Sequence, residues 1–397
     1  MRMTSLLQCI CPIIVATAAV GAALLWPAVL RLCRLPQTLV PSDSKDPDAL
    51  RVGILGASFI ARAAVVNAAD KRKDVLVSAV AARDTQRAET YAARHGIPAF
   101  HGGSTAYSEL LAREDVDVVY IGLPTGLHLE WSLAALRAGK DVLLEKPAVL
   151  NAQEASELVQ EAKRTGRKVF EAAHYRYHPV AKRAKQLMSL TVADGGISPL
   201  RFVEVRFSML DPKAWLQSMK LWPDQPDRML ERERVKNFDR WWYCVDMLLW
   251  STDALDARVI SATEKRFSLT ALLELRLSST VINASMSMAR DSLLDPFTWS
   301  LSATGQSSDD QASSIALHNF GFPFLWHRLD LTRPGVAHYE QLYGAGETTF
   351  EHQLGNFREA LRSGDYKDTM LLTMRTVDRI LEMAGLGAFP SKAAAPT

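Results

Sequence analysis

The chain is predicted to be α/β: an N-terminal doubly wound parallel sheet, then a C-terminal α+β half built on a large, mainly antiparallel open sheet. Three observations predict it. Short apolar runs alternate with helix-period stretches from Arg51 to Ala172, and that β-α-β-α order specifies a parallel sheet. A glycine-bearing turn, Gly56-Ala57-Ser58-Phe59-Ile60-Ala61, separates the first strand from the first helix. After Pro179 the pattern shifts to alternating strands, such as Phe202, Glu204 and Arg206 against Val203, Val205 and Phe207, as in an antiparallel sheet with one covered face.

Length and composition bound the function. At 397 residues the chain accommodates two or three domains. A net charge of +2 gives no electrostatic footprint for nucleic acid. Cys9, Cys11 and Cys33 lie near the N-terminus and only Cys244 lies in the body. A disulfide framework is thereby excluded there, no Cys/His spacing suggests a metal, and a reducing compartment is favoured.

No charged residue lies between Arg2 and Arg31, and apolar residues dominate from Leu6 to Leu30, long enough to span a bilayer. Two readings stay open, a secretory leader and a retained membrane anchor. The long run, ending in Trp26-Pro27-Ala28-Val29-Leu30 before Arg31 and Arg34, favours the anchor, with the body on the cytosolic side. Residues 1–49 are therefore expected to be anchor or leader plus linker.

Arg51 to Leu55 reads as the first strand. The turn after it is the G-x-G-x-x-G/A pattern with Ser58 in place of the middle glycine and Ala61 in place of the last. Such a turn brings backbone close to a pyrophosphate at a helix N-terminus. Gly53, Gly56, Ala57, Ser58, Phe59 and Ile60 are thus candidate dinucleotide contacts. A second strand, Val75 to Ala81, ends in Ala82-Arg83 rather than Asp or Glu. An arginine there pairs with a 2′-phosphate, which selects NADP over NAD; the bland alternative is a solvated first helical residue.

Further elements follow in order. Helices are expected over 84–95, 104–112, 128–139 and 151–166, with strands over 116–121, 141–145 and 168–172. Gly96, Gly139 and Gly166 supply C-terminal stops, and Asn151 with Glu154 resembles a capping box. The strand ending at Glu145-Lys146-Pro147 delivers a carboxylate and an amine at the sheet edge where ligands bind in open α/β folds. Beyond Pro179 we expect a helix over 180–190, strands over 201–208, 269–277, 280–288 and 298–303, and closing helices over 353–362 and 368–383. Residues 211–236 read as a long connection and 305–314 as a polar loop.

Four stretches now stand in one order: Gly53-Ile54-Leu55-Gly56-Ala57-Ser58-Phe59-Ile60-Ala61, Leu123-Pro124-Thr125-Gly126-Leu127-His128, Glu145-Lys146-Pro147 and Glu171-Ala172-Ala173-His174-Tyr175-Arg176-Tyr177-His178-Pro179. Together they resemble the Gfo/Idh/MocA oxidoreductases, nearest the branch with glucose–fructose oxidoreductase, NADP-dependent D-xylose 1-dehydrogenase and dimeric dihydrodiol dehydrogenase. The resemblance implies a Rossmann-type domain over 50–175 and a substrate and oligomerisation domain over 176–397. It also implies NADP, a sugar or cyclic diol substrate, and a homodimer formed through the antiparallel sheet. The family's second motif, Asp followed four residues later by His or Tyr, matches Asp239-Arg240-Trp241-Trp242-Tyr243. Tyr243 would be the general acid/base, Lys146 would lower its pKa and hold the substrate oxygen, and Asp239 would orient the substrate. Leu123, Pro124, Thr125, His128, Glu145, Lys146 and Arg176 match positions lining the cofactor and substrate pocket.

This chain departs from the pattern in places. Arg240, Trp241 and Trp242 are bulky inside the second motif, Ala82 stands where a serine is expected, and His174 replaces a Phe- or Met-like residue. His174 reads as a satisfied histidine of the pocket wall, and Trp242 as either a packing group or a platform for a sugar ring. A rival reading is a cofactor-binding sensor without catalysis.

Overall fold

In the computed structural model, residues 45–209, 227–265, 268–290, 297–305 and 312–391 are described, with side chains in the 227–252 helix described from Asn237 onward. The expected anchor or leader over 6–30 lies outside the described residues. Among the described residues, no helix is long and apolar enough to cross a membrane.

Six parallel strands form the first sheet: β1 (Leu50–Leu55), β2 (Val75–Ala82), β3 (Ala99–Gly102), β4 (Val118–Ile121), β5 (Asp141–Leu144) and β6 (Val169–Glu171). Their spatial order is β3-β2-β1-β4-β5-β6, the doubly wound arrangement whose direction reverses between β1 and β4. Leu55 lies beside Ala81 on one side and Ile121 on the other. All four residues of β4 are buried, as strands covered on both faces must be.

Helix α1 covers 59–69, with a π-helical turn at Arg62–Val66 between Phe59–Ala61 and Asn67–Ala69. Next come α2 (Thr85–His95), α3 (Ala106–Leu111), α4 (His128–Arg137) and α5 (Ala152–Thr165). Asn151 caps α5 by accepting from Glu154 N at 2.9 Å. The Glu154 carboxylate turns to Leu150 N instead, so only half of the expected capping box forms.

Helix α6 (Pro179–Ser189) leads into an eight-stranded sheet, ordered β14-β13-β12-β11-β7-β10-β9-β8. Its members are β7 (Leu200–Met209), β8 (Asp256–Lys265), β9 (Ser268–Arg276), β10 (Val281–Ala289), β11 (Phe297–Gly305), β12 (Ser314–His318), β13 (Arg328–Arg333) and β14 (Val336–Glu340). Every pair is antiparallel except β7 with β10. One face carries Val203, Val205, Phe207, Leu273 and Met286, all buried against helix α7 (Asp227–Thr252) and its neighbours.

Two expectations need correction. The connection over 211–236 is already helical from Asp227, because the stretch beyond Pro226 holds no proline or glycine and is rich in Arg, Glu, Met and Leu. Strands β8, β12, β13 and β14 were not foreseen. Alternation is weak in the two edge strands, β8 being exposed at most positions and β14 at nearly all, while β12 and β13 alternate but are short. Helices α8 (Thr349–Ser363) and α9 (Met370–Met383) close the chain. A full capping box at Thr348 and Glu351 starts α8 four residues earlier than its apolar period suggests.

Candidate active site

The C-terminal ends of β1, β4 and β5 come together at one sheet edge. Gly122 N donates to Leu55 O, and Glu145 N to Ile121 O. Gly56 has φ +102°, and a Cβ there would lie 2.9 Å from Gly122 O; only glycine allows this close crossing of loops. Ser58 caps α1, its Oγ accepting from Ala61 N at 3.1 Å. Ala57 is buried, Ile60 half-buried and Phe59 69% exposed. Gly53 sits three residues earlier, inside β1, where a Cβ would press on Leu110 at 2.6 Å; its smallness serves packing.

Arg83 is exposed at the end of β2, beside Tyr107. Arg87, which sequence reading did not single out, donates from Nε to Ala57 O at 2.9 Å. It had no signal beyond its place in the first turn of α2.

Pro124 is exposed, and Leu123 and Thr125 are half-buried. His128 does not face this opening. It is buried, with Nε2 2.8 Å from Leu123 O and Nδ1 3.0 Å from Pro147 O. Burial pushes its pKa down while the surrounding backbone carbonyls pull it up, and the ring sits between two loops. Glu145 is also buried and accepts from Tyr120 Oη at 2.7 Å. Burial raises its carboxyl pKa against the opposing Lys146 charge and Tyr120 bond.

Lys146 meets α7 across the pocket. Its ammonium lies 2.6 Å from Asp239 Oδ1 and 4.7 Å from the Tyr243 ring centroid. The lysine side chain is 15% exposed and the aspartate 42%, so this corner opens to solvent through Asp239. Burial would discharge Lys146, but Tyr243, Asp239 and Glu145 outweigh it and raise its pKa. The Tyr243 phenol is driven above its usual value by burial, against the pull of Lys146. Lysine therefore acts on the phenol in the expected direction, but desolvation is the larger effect here.

Arg176 is placed elsewhere than the cofactor opening. Its guanidinium is buried and paired with Asp246, with Nε–Oδ2 at 2.9 Å and a further bond to Thr369 Oγ1 at 2.8 Å. Tyr175 Oη donates to the same carboxylate. Trp242 is fully buried and Trp241 nearly so, because at helical spacing they face the core while Asp239 and Tyr243 face Lys146; no sugar can reach Trp242. His174 borders the site with both ring nitrogens partnered: Nε2 is 3.2 Å from Tyr243 Oη and Nδ1 is 2.9 Å from Thr349 Oγ1.

Known proteins resemble the chain in sequence and in fold. The chain is 38% identical over 137 residues to D-xylose 1-dehydrogenase (NADP(+)) 2 of Haloferax volcanii, covering 34% of this chain and 41% of that one. It is 39% identical over 155 residues to trans-1,2-dihydrobenzene-1,2-diol dehydrogenase of Oryctolagus cuniculus, covering 39% and 44%. The match thus spans less than half the length of these relatives. In fold, it resembles KijD10, a 3-ketoreductase from Actinomadura kijaniata solved with NADP and TDP-benzene, at TM-score 0.64 and 22% identity over 86% of this chain and 100% of that one. Residues 50–173 match the GFO_IDH_MocA profile, described as an oxidoreductase family with an NAD-binding Rossmann fold.

Proposed function

We propose that the protein is an NADP-dependent dehydrogenase acting on a secondary or anomeric hydroxyl of a sugar or cyclic diol. The observation that carries this reading is the meeting of Lys146, Asp239 and Tyr243 at the C-terminal edge of the parallel sheet, with Lys146 and Asp239 in contact at 2.6 Å. The relatives named for NADP, a pentose and a cyclic diol support it.

The cradle fits a dinucleotide. The turn at Gly56–Ser58 would take the pyrophosphate on the N-terminus of α1, and Arg83 the 2′-phosphate, with Arg87 close by. Leu123, Pro124, Thr125 and Glu145 line the loops next to it. When bound, the nicotinamide supplies the hydride exchange. Lys146, kept charged by its acidic neighbours, holds the substrate oxygen. Asp239 fixes the lysine and orients the substrate, and Tyr243 exchanges the proton at the substrate hydroxyl. We take 50–175 as the nucleotide domain, 176–397 as the substrate domain, and the open sheet face as the surface for a homodimer.

A screen of aldoses and cyclic diols, followed by NADPH absorbance, tests the reading. Lys146→Ala and Tyr243→Phe should each lose turnover while keeping NADP affinity. Full turnover in both variants refutes the mechanism. Tight NADP binding with no turnover on any substrate favours a sensor instead.

A further inference from the structure

His174 sits where the resemblance leads one to expect an apolar side chain, and its surroundings are unusually complete for a mere wall residue. It is 4% exposed. Its ring lies against Phe350 at 4.6 Å between centroids and edge-on to Tyr243 at 6.4 Å. Both nitrogens are engaged, Nδ1 by the buried Thr349 hydroxyl and Nε2 by the Tyr243 hydroxyl. A neutral imidazole has one donor and one acceptor, so these two partners set its tautomer together. The Lys146 ammonium lies over the Tyr243 ring, 4.7 Å from its centroid, and also bonds the phenol. An ammonium offers only hydrogens, so it takes the phenol oxygen's lone pair and leaves the phenol hydrogen for His174. That makes Nε2 the acceptor and Nδ1–H the donor to Thr349.

We propose that His174 is a positioning residue of the reaction: held by Thr349, it fixes the direction of the Tyr243 hydroxyl relative to Lys146 and the substrate oxygen. This rests on the reading of Tyr243 as the group that exchanges the substrate proton. Tyr243 gives this proton to the substrate oxygen in the reduction direction and takes it back in the oxidation direction, passing between phenol and phenolate, and no proton passes to His174. The groups facing it are Lys146, Tyr243, Tyr175 and Thr349, and burial with the Lys146 charge holds its pKa down at about 3. Protonation would set two cations beside one phenol, so the imidazole stays neutral.

The test uses the full chain with NADP and a substrate from the screen, together with the cofactor-free protein. His174→Phe fills the space without an acceptor, and His174→Gln restores a neutral amide. A lost neutral hydrogen bond of about 1.4 kcal/mol corresponds to about tenfold in rate. We expect kcat to fall about tenfold in His174→Phe with a displaced pH profile, KM within about twofold, and substantial recovery in His174→Gln. In the cofactor-free protein, nitrogen NMR of the labelled ring should show one neutral Nδ1–H tautomer well below the usual histidine pKa of about 6.5, and Tyr243→Phe should move the Nε2 signal. An unchanged kcat and pH profile in His174→Phe, while Tyr243→Phe is inactive, overturns the proposal and leaves the function standing. An Nε2 signal indifferent to Tyr243→Phe also overturns it. Turnover retained in Tyr243→Phe removes the functional reading, and the proposal with it.

Discussion

Replacing Asp246 by Asn should destabilise the protein severely, because it strands a buried arginine charge. Asp246 is fully buried and its partner Arg176 is 4% exposed. The carboxylate accepts from Arg176 Nε at 2.9 Å, from Arg176 Nη2, and from Tyr175 Oη. An asparagine keeps the volume but presents one acceptor oxygen and one donor nitrogen. At least one of these hydrogens then meets a donor, and the guanidinium loses its counter-charge. Breaking one side of a buried ion pair costs about 3–5 kcal/mol, a large share of a total that is about 5–15 kcal/mol. Glu171 decides where in that range the result falls. Its carboxyl is held protonated more readily than usual by burial and by the Asp246 charge, while Arg176 pulls the other way. With Asp246 neutralised, Glu171 can ionise and partly face Arg176, which puts the loss nearer about 3 kcal/mol. Urea unfolding of both proteins, followed by far-UV circular dichroism, measures it. The joint change Arg176→Met with Asp246→Leu should be milder than Asp246→Asn alone, because no buried charge is left stranded. A loss under about 1 kcal/mol in Asp246→Asn would refute the reasoning.

Gly56→Ala forces a side chain into φ +102° and within 2.9 Å of Gly122 O; strain of about 1–2 kcal/mol should lower Tm by a few degrees and weaken NADP binding, and an unchanged Kd would remove the cradle from that turn. Stability should also depend on pH through His174. Its folded pKa is about 3 against 6.5, so below 6.5 the unfolded chain takes up a proton that the fold refuses, and stability falls as pH drops from 6.5 towards 3. Asp378, pushed up to about 6 by burial, binds a proton in the fold first and opposes this slope between about 6 and 4. His174→Gln should therefore flatten the acid decline by about 1.4 kcal/mol per pH unit, read from urea midpoints at pH 6.5 and 5; parallel curves would show that His174 is not held neutral.

Much of the first sheet was legible because its signals are local. Gly56 after an apolar run, Asn151 ahead of Glu154, and Gly96 or Gly166 after a helical period each act within a few residues. Lys146 was found the same way, at the end of a buried strand. Tyr243 came only from the spacing to Asp239 and a family pattern. By contrast, the edge strand β14 is exposed along nearly its whole length, β12 and β13 alternate over only a few residues, and the short Ala99–Gly102 strand is too brief to show a period. The helix beginning at Asp227 was hidden in a stretch read as one connection because it is rich in charge, proline and tryptophan, although Arg, Glu and Leu are good helix formers.

By itself, then, the sequence determined the fold class, the crossing turn at Gly56 and the amine at the edge of β5, since each depends on periodicity or on backbone freedom over a short span. Only the tertiary structure decided which polar groups face one another. It set Lys146 against Asp239 across 93 residues and His174 against Thr349 across 175. It also turned Arg176 inward to Asp246 and shut Trp242 into the core. Hydrogen bonds and ion pairs depend on distances of a few tenths of an ångström between side chains brought together by packing, and a linear order of residues holds no such distance.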